Sequence, residues 1–280
     1  MNEKPRILVP TIGTGHCRLA GCFAARIATQ VGGHLTLLTA VNRRQQSRGQ
    51  AVLVEAADMA RGAAGEQKLS IETSLVFGQP ASVIINSASE GRHDLVVMGS
   101  RPWHTRLRRL LGSTSRAVLA GAPCPVLLAK GDCEFPQNIL LCDSGAASLR
   151  LIERFARALP SLLYGGCAVT VLHVMSQMGA YPGAEDWQLR ADAQSLLDAK
   201  APEGLLLAED ARLLKEMGVQ PQVKVRHGLV VEQIMAESEE GNYDLVVIGA
   251  HRRQGWQDLL LDDLEEQIIG CLTRPVLVLR

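Results

Sequence analysis

The feature that most constrains the fold is an internal repeat, because the second half of the 280-residue chain repeats the pattern of the first. The segment HDLVVMGS at 93–100 matches YDLVVIGA at 243–250, and APCPVLLA at 122–129 matches LTRPVLVL at 272–279, both at an offset of 150. The alternative is a coincidental match between two ordinary βα units. A constant offset over about fifty residues, with Gly and Pro in register, favours duplication.

The repeat is not of uniform length. RILVP at 6–10 matches NILLC at 138–142 at an offset of 132, and LTLLTA at 35–40 matches VTVLHV at 169–174 at an offset of 134. Because the offset rises from 134 to 150, the second half carries sixteen extra residues between its second strand and the HG turn at 227–228. We expect this insertion to be part helix and part loop.

Short apolar runs alternate with helical segments in each half. The runs are rich in Val, Leu and Ile, which is typical of buried parallel strands. In the first half we predict strands near 6–10, 35–40, 71–76, 94–98 and 125–129. We predict one helix over Arg18–Val31, ended by Gly32-Gly33, and another that begins at Pro80 and ends at Gly91.

This alternation predicts the α/β class, with two tandem doubly wound five-stranded parallel-sheet domains. We place the domains at 1–130 and 138–280, joined by the polar linker KGDCEFPQ at 130–137. Each half ends in an apolar strand, PVLLA at 125–129 and PVLVL at 275–279. Since an open apolar sheet edge is normally covered, we expect the halves to pack as an intramolecular pseudo-dimer.

Composition argues against several classes of partner. The 29 acidic and 29 basic residues balance, so no overall charge attracts nucleic acid or a membrane surface. No apolar stretch approaches the roughly 20 residues of a membrane span, and MNEKPRILVP lacks the pattern of a signal peptide. We therefore expect a cytoplasmic protein with neither nucleic acid nor membrane as partner.

The cysteines do not predict a metal centre. Seven are scattered without CxxC spacing, which is typical of free thiols in a reducing compartment. Cys17 and Cys22, with His16 beside them, are candidate ligands. Because no second ligand pair is visible, we interpret them as thiols on a helix and expect no metal site.

A candidate phosphate site follows the fourth strand of the first half. Gly99 ends an apolar run, and Gly112-Ser113-Thr114 begins the next helix, whose N–H groups face the same crevice. The intervening loop carries Arg101, Arg106, Arg108 and Arg109. The alternative is a glycine turn and a serine N-cap with solvated arginines.

These residues resemble the universal stress protein family in its tandem two-domain form. The resemblance covers nearly the whole chain, and implies the adenine nucleotide alpha hydrolase-like fold with pairing through strand 5. The family's signature is Gly, two residues, Gly, nine residues, Gly, then Ser or Thr. Here the spacing is kept by Gly99, Pro102, Gly112 and Ser113, with Pro102 in place of the middle glycine. APCPVLL and ILVP are also similar to family segments.

The resemblance implies that some members bind ATP or a related adenine nucleotide such as AMP, and that others bind none. In this chain the phosphates would lie on Gly99, Gly112 and Ser113, and adenine would meet the backbone near Ala40 and Val41. Any metal would be a nucleotide-bound Mg²⁺. Family binders usually carry an Asp at the end of strand 1, where this chain has Ile12.

The second half departs from the signature in another way. It supplies Asp143 one residue early, and its loop runs from Gly249 through Arg252 to Asp262 and Asp263. We expect the two acidic residues to lie at a helix N-terminus, where they would repel phosphate. The sequence therefore predicts one adenine nucleotide site, in the first half only.

Two function classes stay open. The first is a nucleotide-binding stress sensor, and the second is a ligand-free protein-interaction module; protein partners are not identified, and a homodimer of the tandem chain stays open. No nucleophile elbow or paired metal motif is present, so we name no catalytic residue and expect at most a weak ATPase activity. His104 is the one candidate general base inside the loop.

Overall fold

The computed structural model describes residues 4–100, 111–131, 133–143, 148–159, 162–163, 166–175, 191–249 and 258–279. Their contacts divide the chain into two compact units. Unit 1 comprises residues 1–135 with 273–278 and 280, and unit 2 comprises residues 136–272 with 279. The expected domains 1–130 and 138–280 stay a prediction about independent folding.

Unit 1 is built on a mainly parallel sheet. Its strands are β1 (Arg6–Pro10), β2 (His34–Val41), β3 (Ser70–Phe77), β4 (Leu95–Gly99), β5 (Val126–Ala129) and β10 (Val276–Leu279, of which 276–278 belong to this unit). Their order is β3-β2-β1-β4-β5-β10. Each of the first five agrees with its sequence prediction within one residue at either end, because uninterrupted runs of apolar residues form strands buried on both faces.

Helices connect the parallel strands of unit 1. They are α1 (Gly15–Val31), α2 (Gln46–Ala64), α3 (Pro80–Glu90) and α4 (Ser113–Gly121), and a 3₁₀ turn at Arg43–Gln45 precedes α2. Helix α1 starts three residues before the predicted Arg18. Its N-cap is Thr14, a residue type that is preferred at this position, although the Thr14 side chain makes no cap hydrogen bond.

The last strand of the chain lies in the sheet of unit 1. Strand β10 pairs antiparallel with β5, and Val276, Leu277 and Val278 face Leu128, Leu127 and Val126. The expected pairing of the two apolar terminal strands is therefore present. Of the ten strands that the structure describes, β1–β5 come from the first half of the chain and the other five, β10 included, from the second, which gives the expected five strands for each half.

Unit 2 has the same α/β design. Its strands are β6 (Asn138–Asp143), β7 (Ala168–Met175), β8 (Gln222–His227) and β9 (Leu245–Gly249), in the order β9-β6-β7-β8, and all are parallel. Its helices are α5 (Ser148–Ala158), α6 (Ala193–Asp198), α7 (Pro202–Glu216), α8 (Val230–Glu240) and α9 (Asp258–Cys271). The expected α/β class with parallel sheets is confirmed.

The sheets are the centres of the two cores. Ile7, Leu8 and Val9 of β1 are fully buried, as are Val246 and Val247 of β9. Because both faces of these strands are covered by helices, the polar groups that can meet a ligand lie at the strand ends. No helix in the described part of the chain is long and apolar enough to cross a membrane.

Candidate functional site

The candidate site lies at the carboxyl edge of the unit 1 sheet, between β1 and β4. These strands are neighbours, and Ile7 pairs with Leu95. From β1 the chain passes to β2 on one side, and from β4 it passes to β5 on the other. Such a switch point leaves a crevice beyond the strand ends, where open α/β sheets bind ligands.

Gly99 brings the end of β4 against the start of α1. A Cβ at Gly99 would lie 2.1 Å from the carbonyl oxygen of His16 and 2.9 Å from the backbone nitrogen of Cys17. Both neighbours are backbone atoms in the first turn of a helix, so they cannot move aside. Only glycine fits here, and the two loops of the crevice are thereby fixed together.

The loop after β1 is shaped by threonine side chains. The Gly13 N–H donates to Thr11 Oγ1 at 3.3 Å, and Gly13 has a φ of 78°. Thr14 Oγ1 lies 3.0 Å from His16 Nε2 and donates to Cys17 Sγ at 3.2 Å. The polar side chains of the loop thus hydrogen-bond within the loop and the start of α1. The first N–H groups of α1 have no side-chain cap.

Ile12 lies in the same loop and is 54% exposed. The side chain can offer only apolar contact. It cannot accept a hydrogen bond from a ribose hydroxyl. Any ligand here depends correspondingly more on backbone groups and on charge.

Helix α4 presents an open N-terminus to the crevice. Gly112 is the N-cap and makes no side-chain cap hydrogen bond, and a Cβ there would meet none of the described residues within 4 Å. The Gly112 carbonyl accepts the Arg116 N–H at 3.0 Å, which closes the first turn. Ser113 is exposed and Thr114 half-buried. The first N–H groups of a helix and nearby hydroxyls are the kind of groups that can donate hydrogen bonds to an anion.

Ala40 and Val41 lie at the carboxyl end of β2, as predicted. They pair with Val76 and Phe77 of β3, and the Val41 carbonyl accepts the Gly78 N–H at 3.2 Å. Val41 is buried and Ala40 half-buried, so they form a wall of the crevice. Arg101 and Pro102, also predicted site residues, lie outside the described residues.

A group of arginines beyond β2 was not predicted. Arg43 and Arg44 lie in the 3₁₀ turn and Arg48 in the first turn of α2, and all three are exposed. None of them makes an ion pair with the residues that the structure describes. The available signal was three arginines within six positions, directly after a buried strand.

The corresponding place in unit 2 differs from expectation. Asp262 and Asp263 were expected at a helix N-terminus, but α9 already begins at Asp258, so they are its fifth and sixth residues. The backbone N–H groups at these positions are used inside the helix. These N–H groups are therefore not free to bind phosphate. This is a second reason against a phosphate site here, in addition to the expected charge repulsion. Asp143 ends β6, and Arg252 lies outside the described residues.

Two buried polar clusters are built around His93 and Tyr243, the residues that lie two positions before β4 and β9. In unit 1 the His93 ring lies between the Ser87 carbonyl, 3.1 Å from Nδ1, and Thr36 Oγ1, 3.2 Å from Nε2. Because a carbonyl only accepts, Nδ1 carries the proton and Nε2 accepts from Thr36. Burial lowers the pKa of His93, and nearby Arg6 lowers it further.

In unit 2 the equivalent cluster is centred on Glu237, which is 1% exposed. It accepts hydrogen bonds from Tyr243 Oη at 2.8 Å, Lys224 Nζ at 2.7 Å and Arg226 Nε at 2.6 Å. Burial acts to raise the pKa of Glu237, but these donors outweigh it and hold the pKa below its usual range. Both clusters are satisfied from within and lie away from the crevice.

The cysteines and histidines do not assemble into a metal site among the described residues. All seven cysteines are free thiols, and Cys22, one of the candidate ligands, is half-buried. Burial raises the pKa of its thiol. A raised pKa disfavours the thiolate form that metals bind.

Comparison with known proteins supports one family. The model of the universal stress protein family matches residues 5–130 and again residues 137–280. A universal stress protein of Mycobacterium tuberculosis is 25% identical over 99% of both chains. A shorter one from Thermus aquaticus is 31% identical over 44% of this chain and 97% of its own length. The crystal structure of a universal stress protein from Archaeoglobus fulgidus superposes with a TM-score of 0.71 at 19% identity, over 98% of this chain and 96% of that one.

Proposed function

This chain belongs to the universal stress protein family in tandem form, and from that premise we propose that it is an adenine-nucleotide-binding stress sensor with one site, in unit 1. The observation that carries the proposal is the asymmetry of the helix after the fourth strand of each half. Helix α4 begins at Gly112-Ser113 with an uncapped, open N-terminus, whereas α9 already begins at Asp258. Only the first arrangement leaves free N–H groups for phosphate oxygens at the motif position.

The crevice offers a complete path for a nucleotide. The phosphates would lie on Gly99, Gly112 and Ser113, where glycine permits close backbone approach. Thr114 would add a hydroxyl. The adenine would lie across β1 toward the Ala40–Val41 wall, because β4, β1 and β2 are successive strands of the sheet. ATP and AMP both suit this path, and a magnesium ion would accompany the phosphates of ATP.

Binding and not catalysis is the role that these residues support. The phosphate seat consists of backbone N–H groups and hydroxyls, none of which titrates near neutral pH. Arginine stays protonated at ordinary pH, so Arg101 and Arg106 would clamp phosphate and not transfer protons. We therefore expect little turnover, with at most a slow ATPase activity.

A ligand-free interaction module is the second candidate. It is favoured by Ile12, which is 54% exposed where related binders carry a carboxylate. In that case purified protein would release no nucleotide and would bind none by calorimetry. Mass spectrometry of the material released on denaturation therefore separates the two functions.

Two variants at one position give the sharpest test of the nucleotide site. Asp and Asn are both good N-caps, so Gly112→Asp and Gly112→Asn should fold equally well. Only the aspartate places a negative charge at the phosphate seat. We expect Gly112→Asp to abolish binding and Gly112→Asn to retain it, measured by calorimetry. Asp262→Gly should create no second site, and two equivalent sites in the wild-type chain would refute the proposal.

The loop beyond Gly99 can be tested separately. If its arginines clamp phosphate, Arg101→Ala and Arg106→Ala should weaken binding several-fold, and more at low salt than at high salt. His104→Ala is the control for catalysis. Loss of a robust ATPase activity with unchanged affinity in that variant would make this protein an enzyme and not a sensor.

A further inference from the structure

We infer that the nucleotide site of unit 1 selects an adenine nucleotide that carries a second phosphate on its ribose, at the 2′ or 3′ position, in addition to the 5′ chain. The residues assigned to that second phosphate are Arg43, Arg44 and Arg48. The inference rests on the proposed function and specifies its ligand class.

The arginines are placed by the packing of α2. Gly49 is buried, and a Cβ there would lie 2.8 Å from Val41 Cγ1 and 3.1 Å from Leu75 Cδ1. This contact presses the first turn of α2 onto the ends of β2 and β3. Arg48 is the neighbour of Gly49 in that turn, and so its position along the sheet edge is fixed.

Arg48 lies on the side of α2 that faces the crevice. Val52, four residues later, has its Cγ2 atom 3.0 Å from the position that a Cβ would take at Gly13, in the loop after β1. Residues four apart lie on the same helix face, so Arg48 lies above Val52 by one turn, about 5.4 Å. That turn is the one nearer the carboxyl edge of the sheet.

The charge at this edge is uncompensated. The two acidic residues of α2 are already engaged, because Glu55 pairs with Arg18 at 2.7 Å and Asp58 with Arg61 at 2.8 Å. Arg43, Arg44 and Arg48 have no ion-pair partner among the described residues. Three like charges within six positions repel one another, and a bound anion would relieve that repulsion.

The end of β2 is where an α/β fold distinguishes ribose substituents. In dinucleotide-binding sheets with the order 3-2-1-4, where the pyrophosphate lies on the turn after β1, an acidic side chain near the end of β2 accepts from a free 2′-hydroxyl, and an arginine there accommodates a 2′-phosphate. This chain has the same strand order in unit 1 and has arginines at that place. With the phosphates at β4 and the adenine at the Ala40–Val41 wall, the ribose would lie over β1, next to the Gly13 loop that Val52 contacts one helix turn from Arg48.

The second half provides a contrast. Positions 176–189, which follow β7, contain no lysine or arginine and include Glu185 and Asp186. The arginines are thus restricted to the half that keeps the phosphate seat. If the arginines only made the surface basic, there would be no reason for them to occur in the nucleotide-site half and not in the other half.

The test compares adenosine 5′-monophosphate with adenosine 2′,5′-bisphosphate and adenosine 3′,5′-bisphosphate by calorimetry on the full chain. We expect one bisphosphate to bind about tenfold more tightly than the monophosphate, since a charge-assisted contact contributes that much. In the double variant Arg43→Gln/Arg48→Gln this preference should vanish while the monophosphate affinity stays within about twofold. Arg61→Gln, on the same helix but in its last turn, removes one positive charge away from the crevice and should keep the preference.

The outcomes separate the two proposals. Equal affinity for all three nucleotides in the wild-type chain overturns this inference and leaves the nucleotide site in place. A preference that survives in the double variant also overturns it, because the selectivity then lies elsewhere. Failure of all three nucleotides to bind overturns the proposed function itself. Unchanged thermal melting of each variant establishes that the arginines act on the ligand and not on folding.

Discussion

At the scale of single residues, the two halves place chemically different side chains at equivalent buried positions. His93 and Tyr243 occupy equivalent positions, 150 apart. The His93 ring contacts Thr36 and Ser87, and the Tyr243 ring contacts the equivalent residues, Thr170 and Glu237. The histidine can take up a proton as the pH falls below its ordinary range, because burial lowers its pKa. The tyrosine gains no proton in acid, because burial raises its pKa and the phenol is already protonated. The halves should therefore respond differently to acid.

His93 should make unit 1 sensitive to mild acid. Its pKa is lowered from 6.5 in the folded state, so below pH 6.5 the unfolded chain binds more protons than the folded one. Stability from this residue is full above pH 6.5 and is lost as the pH falls toward the folded pKa. We expect the difference in melting temperature between wild type and His93→Gln to shrink between pH 7.5 and pH 5, measured by circular dichroism. Parallel pH profiles for the two proteins would contradict this.

Glu237 should act in a lower pH range. Its pKa is held below 4.5, so its contribution is full above pH 4.5 and falls as acid protonates the folded state. At pH 7 we expect Glu237→Gln to lower the free energy of unfolding by about 1–3 kcal/mol, because the buried donors lose a charged acceptor. The control is Glu240→Gln, since Glu240 is 65% exposed and shares Arg226. That change should cost less than about 0.5 kcal/mol in urea titrations. Equal costs would show that burial of Glu237 is unimportant.

At the scale of elements, helix α2 carries two glycines in opposite environments. A Cβ at Gly62 would have no neighbour within 4 Å, whereas one at Gly49 would meet Val41, Leu75 and Thr39 within 3.3 Å. Gly62→Ala should therefore stabilise the protein by up to about 1 kcal/mol through helix propensity. Gly49→Ala should destabilise it by about 1–3 kcal/mol through overpacking. Thermal melts of both variants should shift in opposite directions, and a shift of the same sign would contradict the packing.

The elements also show which parts of the structure could be predicted from sequence patterns. The strands were predicted within a residue because buried apolar runs are a local signal. Helix α9 begins four residues before Asp262, where the motif alignment expected a start, because Asp258-Leu-Leu-Leu is itself a good first turn. Gly99 was predicted from motif spacing, but its contact with His16 joins distant parts of the chain. Arg43, Arg44 and Arg48 fall outside the motif, and only the packing of α2 assigns them to the crevice.

At the scale of the whole molecule, the first unit is not a continuous piece of chain. Residues 273–278 belong to it, and Leu277, fully buried, pairs with Leu127. The sequence shows an apolar strand at each end of the repeat, but not which sheet each strand joins, since pairing depends on distant residues.

A cut between the halves should leave the fragments together. With a specific protease site inserted between Phe135 and Pro136, we expect both fragments to co-elute on size exclusion after cleavage, because β10 still pairs with β5. Leu277→Asp, which buries a charge in that pairing, should cause them to separate. Thr273→Asp, at an exposed position, should not. Fragments that separate in the wild-type protein would contradict this role for β10.

Because β10 is the last strand of the chain to be synthesised, the edge of β5 that it covers stays open during translation of the second half. Strand β5 leaves the ribosome about 150 residues before the strand that covers its edge, which at about 5–20 residues per second is a wait of roughly 7–30 s. During that interval the nascent chain exposes an apolar strand edge that can pair with neighbouring chains on the same messenger RNA. A chaperone that binds such edges would be needed early, and codons that slow translation of the second half would lengthen the risk.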